Sequence, residues 1–262
     1  MIKYNLETGE NVIINKFPDG QVTVHPDVIS LRDRGEILAP LRCAQDLLNI
    51  ISLANNLLHK DVELYIPYLL GGRHDRAFST TDMSYLANVV GPVLNSYNFS
   101  SVKTLCPHSD VSYNVINGLS DYYDITNLNI FKGRVDVVLS PDKGAIKRSS
   151  EVADLLDVPL YSCDKVRKGA SINIEVPKEL PLNANVLIHD DIGDGFGTFF
   201  VIADALDRMG FKGERHLSVV HSIQFKALCD ICKRYESVLT TNSYLQIPDD
   251  NIPCNLNIKN VW

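Results

Sequence analysis

Apolar residues follow two distinct periods along this chain. Val62-Glu63-Leu64-Tyr65-Ile66-Pro67, Val135-Asp136-Val137-Val138-Leu139 and Val186-Leu187-Ile188-His189 are short runs rich in β-branched residues. Their length and composition are those of buried strands. Elsewhere the spacing becomes three and four. Leu41, Ala44, Leu47, Leu48, Ile51 and Ala54 mark an amphipathic helix, and Met83, Leu86, Val89, Val90, Val93 and Leu94 mark a second. Phe199, Ile202, Ala203 and Leu206 mark a third, which Gly210 closes as a C-cap. Each of the last two strands leads through a glycine-containing turn into a helical pattern. Such alternation predicts an α/β fold with largely parallel sheets and helices on their faces. No linker or charge block divides the chain, and its weakest stretch is Asp121–Gly133. A boundary placed there predicts two lobes, residues 1–131 and 132–262.

Composition narrows the function. Of 262 residues, 45% are hydrophobic and 22% charged, enough to build a real core. Lys and Arg total 25 against 32 Asp and Glu, so the net charge is 25 − 32 = −7. That balance argues against a nucleic-acid partner, because phosphate contacts need clustered cations. No apolar run approaches the ~20 residues of a membrane span. Met1–Glu7 lacks the apolar core of a signal peptide, and the expectation is a soluble, cytoplasmic protein. Cys229 and Cys232 are the one close cysteine pair. They lack the partners a zinc site needs and sit in a helical stretch, Phe225–Tyr235, so they read as buried reduced thiols.

The chemistry concentrates in Val186–Thr198, which reads as a buried strand, an acidic turn, a small-residue loop and a helix opening near Thr198. Parallel sheets bind ligands at the carboxyl ends of their strands. Adjacent carboxylates Asp190 and Asp191 suit the vicinal hydroxyls of a ribose. Asp194, Gly195, Phe196, Gly197 and Thr198 would offer backbone N–H groups to a phosphate at a helix N-terminus. Taken alone, an acidic strand end before Gly-x-Gly is also a plain capped turn. Three Asp and three Gly within nine residues weigh against that, since crowded carboxylates repel unless their charge is taken up.

This stretch resembles the phosphoribosyl-diphosphate motif of the phosphoribosyltransferase fold and, more closely, the ribose-phosphate pyrophosphokinases. Five further segments match that family in order. Phe17-Pro18-Asp19-Gly20-Gln21 is similar to the turn that holds the adenine of ATP from a neighbouring subunit. Pro67–Arg76, with Arg73, His74, Asp75 and Arg76, resembles the segment that contacts ATP. Leu105-Cys106-Pro107-His108 falls where members carry a metal-linked histidine. Ser140-Pro141-Asp142 looks like the turn whose Asp serves the Mg²⁺ site, and Asp164-Lys165-Val166-Arg167 resembles the mobile catalytic loop. Departures are Gln21 for Glu, His74 for Gln, Cys106 for Asp and Val166 for Arg. In the ribose loop, Gly195-Phe196-Gly197-Thr198 stands for Thr-Gly-Gly-Thr.

The resemblance implies two tandem phosphoribosyltransferase-like lobes, the first on the ATP side and the second carrying the catalytic and ribose-phosphate loops. It implies a Mg²⁺-dependent transfer of the diphosphate of ATP to the anomeric hydroxyl of ribose 5-phosphate, with AMP released. Lys165 and Arg167 would be catalytic. Phe17, Asp19, Gln21, Arg73, His74, Asp75 and Arg76 would bind ATP, and His108 and Asp142 would position the metal. Phe196 would either close the 5-phosphate pocket or stack on a larger group, and the latter leaves ADP-ribose open as the acceptor. A transferase that consumes the activated sugar and a non-catalytic regulatory homologue are the rival readings. The family's shared adenine site implies a homodimer or higher even oligomer.

Overall fold

A computed structural model describes residues 1–28, 34–57, 61–168, 171–246 and 252–262, with residues 165–168 and 171–173 described by backbone alone. The chain divides into two compact units, residues 1–123 and 124–261, a division that falls inside the Asp121–Gly133 stretch.

In the first unit, β1 (Ile2–Asn5) is followed by a hairpin of β2 (Val12–Lys16) and β3 (Val22–Pro26), and then by β4 (Gly35–Leu38), α1 (Ala44–Asn55) and β5 (Val62–Tyr65). Next come α2 (Gly91–Asn95), β6 (Ser101–Thr104), α3 (Val111–Val115) and β7 (Leu119–Asp121). Its described sheet is parallel throughout, in the order β1-β4-β5-β6-β7. Ile37 and Leu64 of the sheet are buried with Leu47, Ile50 and Leu53 of α1. The Ser52 hydroxyl of α1 ties the hairpin down: it accepts from Val24 N at 2.8 Å and donates to Val24 O at 2.9 Å.

The helix expected over Met83–Leu94 forms differently. Met83 is 60% exposed and lies outside it, and Leu86–Val90 makes a wide π turn before α2. Gly91 closes that turn by donating to Leu86 O five residues back. A Cβ at Gly91 would overlap Val115 Cγ1, so only glycine lets α2 approach α3 this closely. Pro92, next along, has no N–H to continue the earlier bonding pattern.

In the second unit the order is β8 (Val137–Ser140), α4 (Ile146–Leu156), β9 (Leu160–Ser162), β10 (Asp164–Lys168), β11 (Ser171–Glu175), β12 (Val186–Gly193), α5 (Gly197–Arg208), β13 (Arg215–Ser222), α6 (Phe225–Ile231), β14 (Ser237–Thr241) and β15 (Leu256–Lys259). Its described six-stranded sheet is also all parallel, ordered β15-β14-β13-β12-β8-β9, and β10 and β11 form a separate antiparallel hairpin. Side chains alternate across the sheet as a strand's period requires. Val186 and Ile188 of β12 join the cluster of Phe199, Ile202 and Leu206 on α5, and Leu187 joins Val152 and Leu156 of α4 on the other face. Each such burial is worth about 1.5–3 kcal/mol, which makes β12 a rigid central beam.

Two local readings change. β12 does not end at His189 but runs through Asp190, Asp191 and Ile192 to Gly193, so the acidic residues lie on a strand rather than in a turn. Pairing with β13 continues as far as Gly193↔Ser222, and this extra neighbour sustains the strand beyond its apolar run. The α6 helix stops at Ile231, short of Tyr235. All six cysteines are free; Cys232 is buried and Cys229 partly so. Burial pushes both thiols up, Cys232 to about 12, which keeps them protonated and unreactive.

Candidate active site

Asp190 and Asp191 stand at the carboxyl end of β12, the central strand, where a parallel sheet presents its ligand edge. Arg148, on the first turn of α4, holds them. Its Nη1 lies 3.1 Å from Asp190 Oδ1 and 3.2 Å from Asp191 Oδ1. The Asp191 side chain is only 3% exposed and that of Asp190 19%. Asp190 Oδ1 also accepts the Asp191 backbone N–H at 2.9 Å. Burial, and next the neighbouring Asp191 charge, push the Asp190 carboxyl well above its usual range, while Arg148 pulls it back. His189 just before them is buried. Desolvation, with the Arg148 charge second, drives its pKa down to about 3, so it is neutral at physiological pH.

Beyond Gly193 the chain enters the loop that opens α5. Asp194 Oδ1 accepts from Gln224 Nε2 at 3.0 Å, and Gly193 O accepts from Ile223 N. Phe196 takes a left-handed conformation, φ 57°, as the residue before the helix. Its carbonyl accepts from Phe199 N and Phe200 N, which starts α5. The space over Gly197 is open, with no atom beyond its chain neighbours and its own helix backbone within 4 Å of where a Cβ would stand. The Phe196 ring does not face that space. It is 2% exposed, lies 5.9 Å from the Phe199 ring and belongs to the core. It also explains Gly193, where a Cβ would come within 2.5 Å of the ring. The Phe196 ring is therefore packed in the core, which corrects the stacking role considered from sequence.

Asp142 caps the turn that leads into α4. Its Oδ1 accepts from Gly144 N at 2.9 Å and Ala145 N at 3.3 Å, and its carbonyl accepts from Ser140 Oγ at 2.8 Å. The same turn therefore sets where α4, and with it Arg148, begins. Lys165 and Arg167 lie on the backbone of β10, opposite Ile174 and Ile172 of β11, and their side chains lie outside the described residues.

The remaining candidates belong to the first unit. Phe17, Asp19 and Gln21 form the tip of the β2–β3 hairpin. There Phe17 N donates to Gln21 O at 2.8 Å, and Asp19 Oδ1 accepts from Gln21 N at 3.0 Å. Phe17 is exposed, as are Ile13 and Ile14 on β2. Arg73, His74, Asp75 and Arg76 share the loop after β5. His74 Nε2 meets Asp82 Oδ2 at 2.9 Å, and its ring stacks on Phe78 with centroids 5.1 Å apart and planes 3° from parallel. Arg76 is largely exposed, 3.9 Å from Asp75. His108 follows β6 and packs near Gly72 of that loop, its Cβ 3.7 Å from where a Gly72 Cβ would stand. Cys106 is buried at φ 40°, and its N–H donates to Asp121 Oδ1 at 2.9 Å. Among the described residues no group of three or more His, Cys, Asp or Glu gathers as a metal site.

Sequence reasoning missed Arg148. A signal existed, because Arg148 shares a helix face with buried Val152, four residues on, where a cation needs an anionic partner. The placement of Phe196 carries a direct expectation. Phe196→Ala should lower the unfolding free energy by about 3–5 kcal/mol in urea titration, as loss of a buried ring does. An unchanged midpoint would show the ring to be outside the core.

No family model matches the chain. It is 28% identical over 216 residues to the ribose-phosphate pyrophosphokinase of Pyrococcus abyssi, covering 77% of this chain and 73% of that one. To the Thermococcus kodakarensis protein of the same name it is 25% identical over 256 residues, covering 92% and 88%. Against the Oceanobacillus iheyensis protein, also so named, it is 26% identical and spans 66% of the relative's length. The fold matches a phosphoribosylpyrophosphate synthetase from Mycobacterium smegmatis with a TM-score of 0.79, at 20% identity, over 95% of this chain and 85% of that one. The α/β architecture with mainly parallel, helix-flanked sheets is thus a shared one. By sequence the chain is similar to the ribose-phosphate pyrophosphokinases, in agreement with the motifs read along it.

Proposed function

We propose that this chain transfers the diphosphate of ATP to the anomeric hydroxyl of ribose 5-phosphate. The observation that carries the reading is the carboxylate pair on β12, which a short loop, residues 194–196, links to the N-terminus of α5. A ribose needs acceptors for two vicinal hydroxyls, and Asp190 and Asp191 supply them. A 5-phosphate needs N–H donors and a positive field, which the first turn of a 12-residue helix at Gly197 and Thr198 supplies. The burial of Phe196 removes the sequence feature that favoured a sugar with a larger 5-substituent.

The chemistry is one of placement and charge. The anomeric oxygen attacks the β-phosphorus, a new P–O bond forms, the bond from that phosphorus to the α,β-bridging oxygen breaks, and AMP leaves. The anomeric proton is lost to solvent. Lys165 and Arg167 on the hairpin would neutralise charge as it develops on the transferring group. Arg73 and Arg76 would hold the triphosphate, as guanidinium forks fit phosphate oxygens. Phe17, Asp19 and Gln21 would meet the adenine, and His74 and Asp75 would shape the loop that carries the two arginines. Mg²⁺ is held by one or two carboxylates together with substrate phosphates and water. The Asp142 carboxylate suits that donor set, and His108, a nitrogen donor, would act through a water. Bound to the nucleotide, the ion would offset the phosphate charge.

The exposed Ile13, Ile14 and Phe17 of the β2–β3 hairpin favour a homodimer or higher even oligomer. Light scattering at micromolar protein should return such a mass, and a fully active monomer would contradict it. The function itself is tested by phosphorus NMR of Mg-ATP turnover, with ribose 5-phosphate and ADP-ribose supplied separately. AMP should form with ribose 5-phosphate. AMP with ADP-ribose alone would overturn the choice of acceptor, and no AMP with either would overturn the reaction.

A further inference from the structure

We propose that Arg148 is the positioning residue of the sugar site, acting through Asp190 and Asp191 to favour their ionised forms and to fix both carboxylates as acceptors for two adjacent sugar hydroxyls. The inference rests on the proposed function only in naming the ligand. A single nitrogen, Nη1, carries two N–H groups, and here it reaches one oxygen of each carboxylate, at 3.1 and 3.2 Å. One cation is therefore shared between two like charges on consecutive residues.

The need for such a cation follows from the surroundings. Two carboxylates this close, with Asp191 almost wholly buried, would share a proton if left to themselves. A protonated carboxyl donates through its O–H, and a site built to receive two hydroxyl donors would lose an acceptor. His189, next on the strand, is held neutral. Across on β13, Asp190 pairs with Val219 and His189 with Ser218, and neither partner is ionisable. His221, opposite Ile192, bonds through Nδ1 to Ser243 Oγ at 2.7 Å. On β8, Leu139 pairs with Ile188. On α4, Lys147 is exposed, and Ser149 Oγ lies 3.5 Å from the His189 carbonyl, which it reaches as a donor.

A purely structural role explains this arrangement poorly. Buried ion pairs return little net stability compared with apolar packing. An ionised carboxylate has about four acceptor positions, and the Arg148 contacts fall on one oxygen, Oδ1, of each residue. Arg148 thus orients the pair without occupying it.

The test uses the full chain and two variants, Arg148→Met and Arg148→Lys, in two measurements. In the free protein, carbon-13 NMR of labelled Asp carboxyls follows the titration of the pair. Arg148→Met should move that titration to higher pH by about one unit or more, and Arg148→Lys, which keeps the charge, by clearly less. Calorimetry then measures ribose 5-phosphate binding from mildly acidic to mildly alkaline pH, with Mg²⁺ and α,β-methylene-ATP, which cannot be split at the transferred bond. At neutral pH Arg148→Met should bind the sugar about tenfold or more weakly than wild type. Its affinity should recover as pH rises and the pair ionises, and its nucleotide affinity should stay within about twofold. An unmoved titration overturns the electrostatic role. Moved titration with unchanged sugar binding, or loss that persists equally at every pH, overturns the positioning role. A wild-type chain that titrates as described but binds no ribose 5-phosphate instead overturns the choice of ligand and with it the sugar role.

Discussion

Two like charges on consecutive residues of a buried strand are the constraint on which the second unit is built. Asp190 and Asp191 repel one another and lose solvation where they stand, and the fold compensates with one guanidinium from the neighbouring helix. The residual cost has a definite sign. Burial and Asp191 raise the Asp190 pKa in the folded chain, so folding favours its protonated form. That favourable contribution is full below the unfolded-state pKa and disappears as pH rises through the folded one. Above the folded-state pKa an ionised Asp190 therefore weighs against stability, and the strand must be secured by other means.

It is secured by its position. β12 lies between β13 and β8, with α5 packed on one face and α4 on the other, so Val186, Leu187 and Ile188 are fully buried. The same two helices then serve the strand's end. α4 begins at the turn that Asp142 caps and brings Arg148 to the carboxylates. α5 begins at the loop that Phe196 anchors, and its first turn faces open space over Gly197. Rigid packing and the candidate site groups thus come from the same elements, the arrangement that a positioned site requires.

Much of this was legible in the chain. The apolar runs at Val135–Leu139 and Val186–His189 correspond to β8 and β12 because both faces of those strands are buried, and the helical spacing from Phe199 to Leu206 corresponds to α5 because that helix buries one face. The acidic pair and the glycine loop stood out by local composition. What was not legible depended on partners distant in sequence. β12 persists to Gly193 because β13 pairs with it there, and no propensity of Asp-Asp would suggest that. The Met83–Leu94 pattern bends into a π turn because Gly91 lies against Val115, 24 positions on. Phe196 looked like a ligand-facing aromatic in a polar loop, yet its left-handed backbone turns the ring inward over Gly193. Arg148 drew no notice because its meaning lies in carboxylates 42 and 43 residues away.

The central claim is that the end of β12 and the start of α5 together hold a phosphorylated ribose. A crystal structure of the chain soaked or grown with ribose 5-phosphate tests it most directly. The account predicts ring hydroxyls within hydrogen-bond distance of Asp190 and Asp191, and the phosphate against the backbone N–H groups of Gly195 to Thr198. Sugar density seated elsewhere, with that strand end empty, would contradict it.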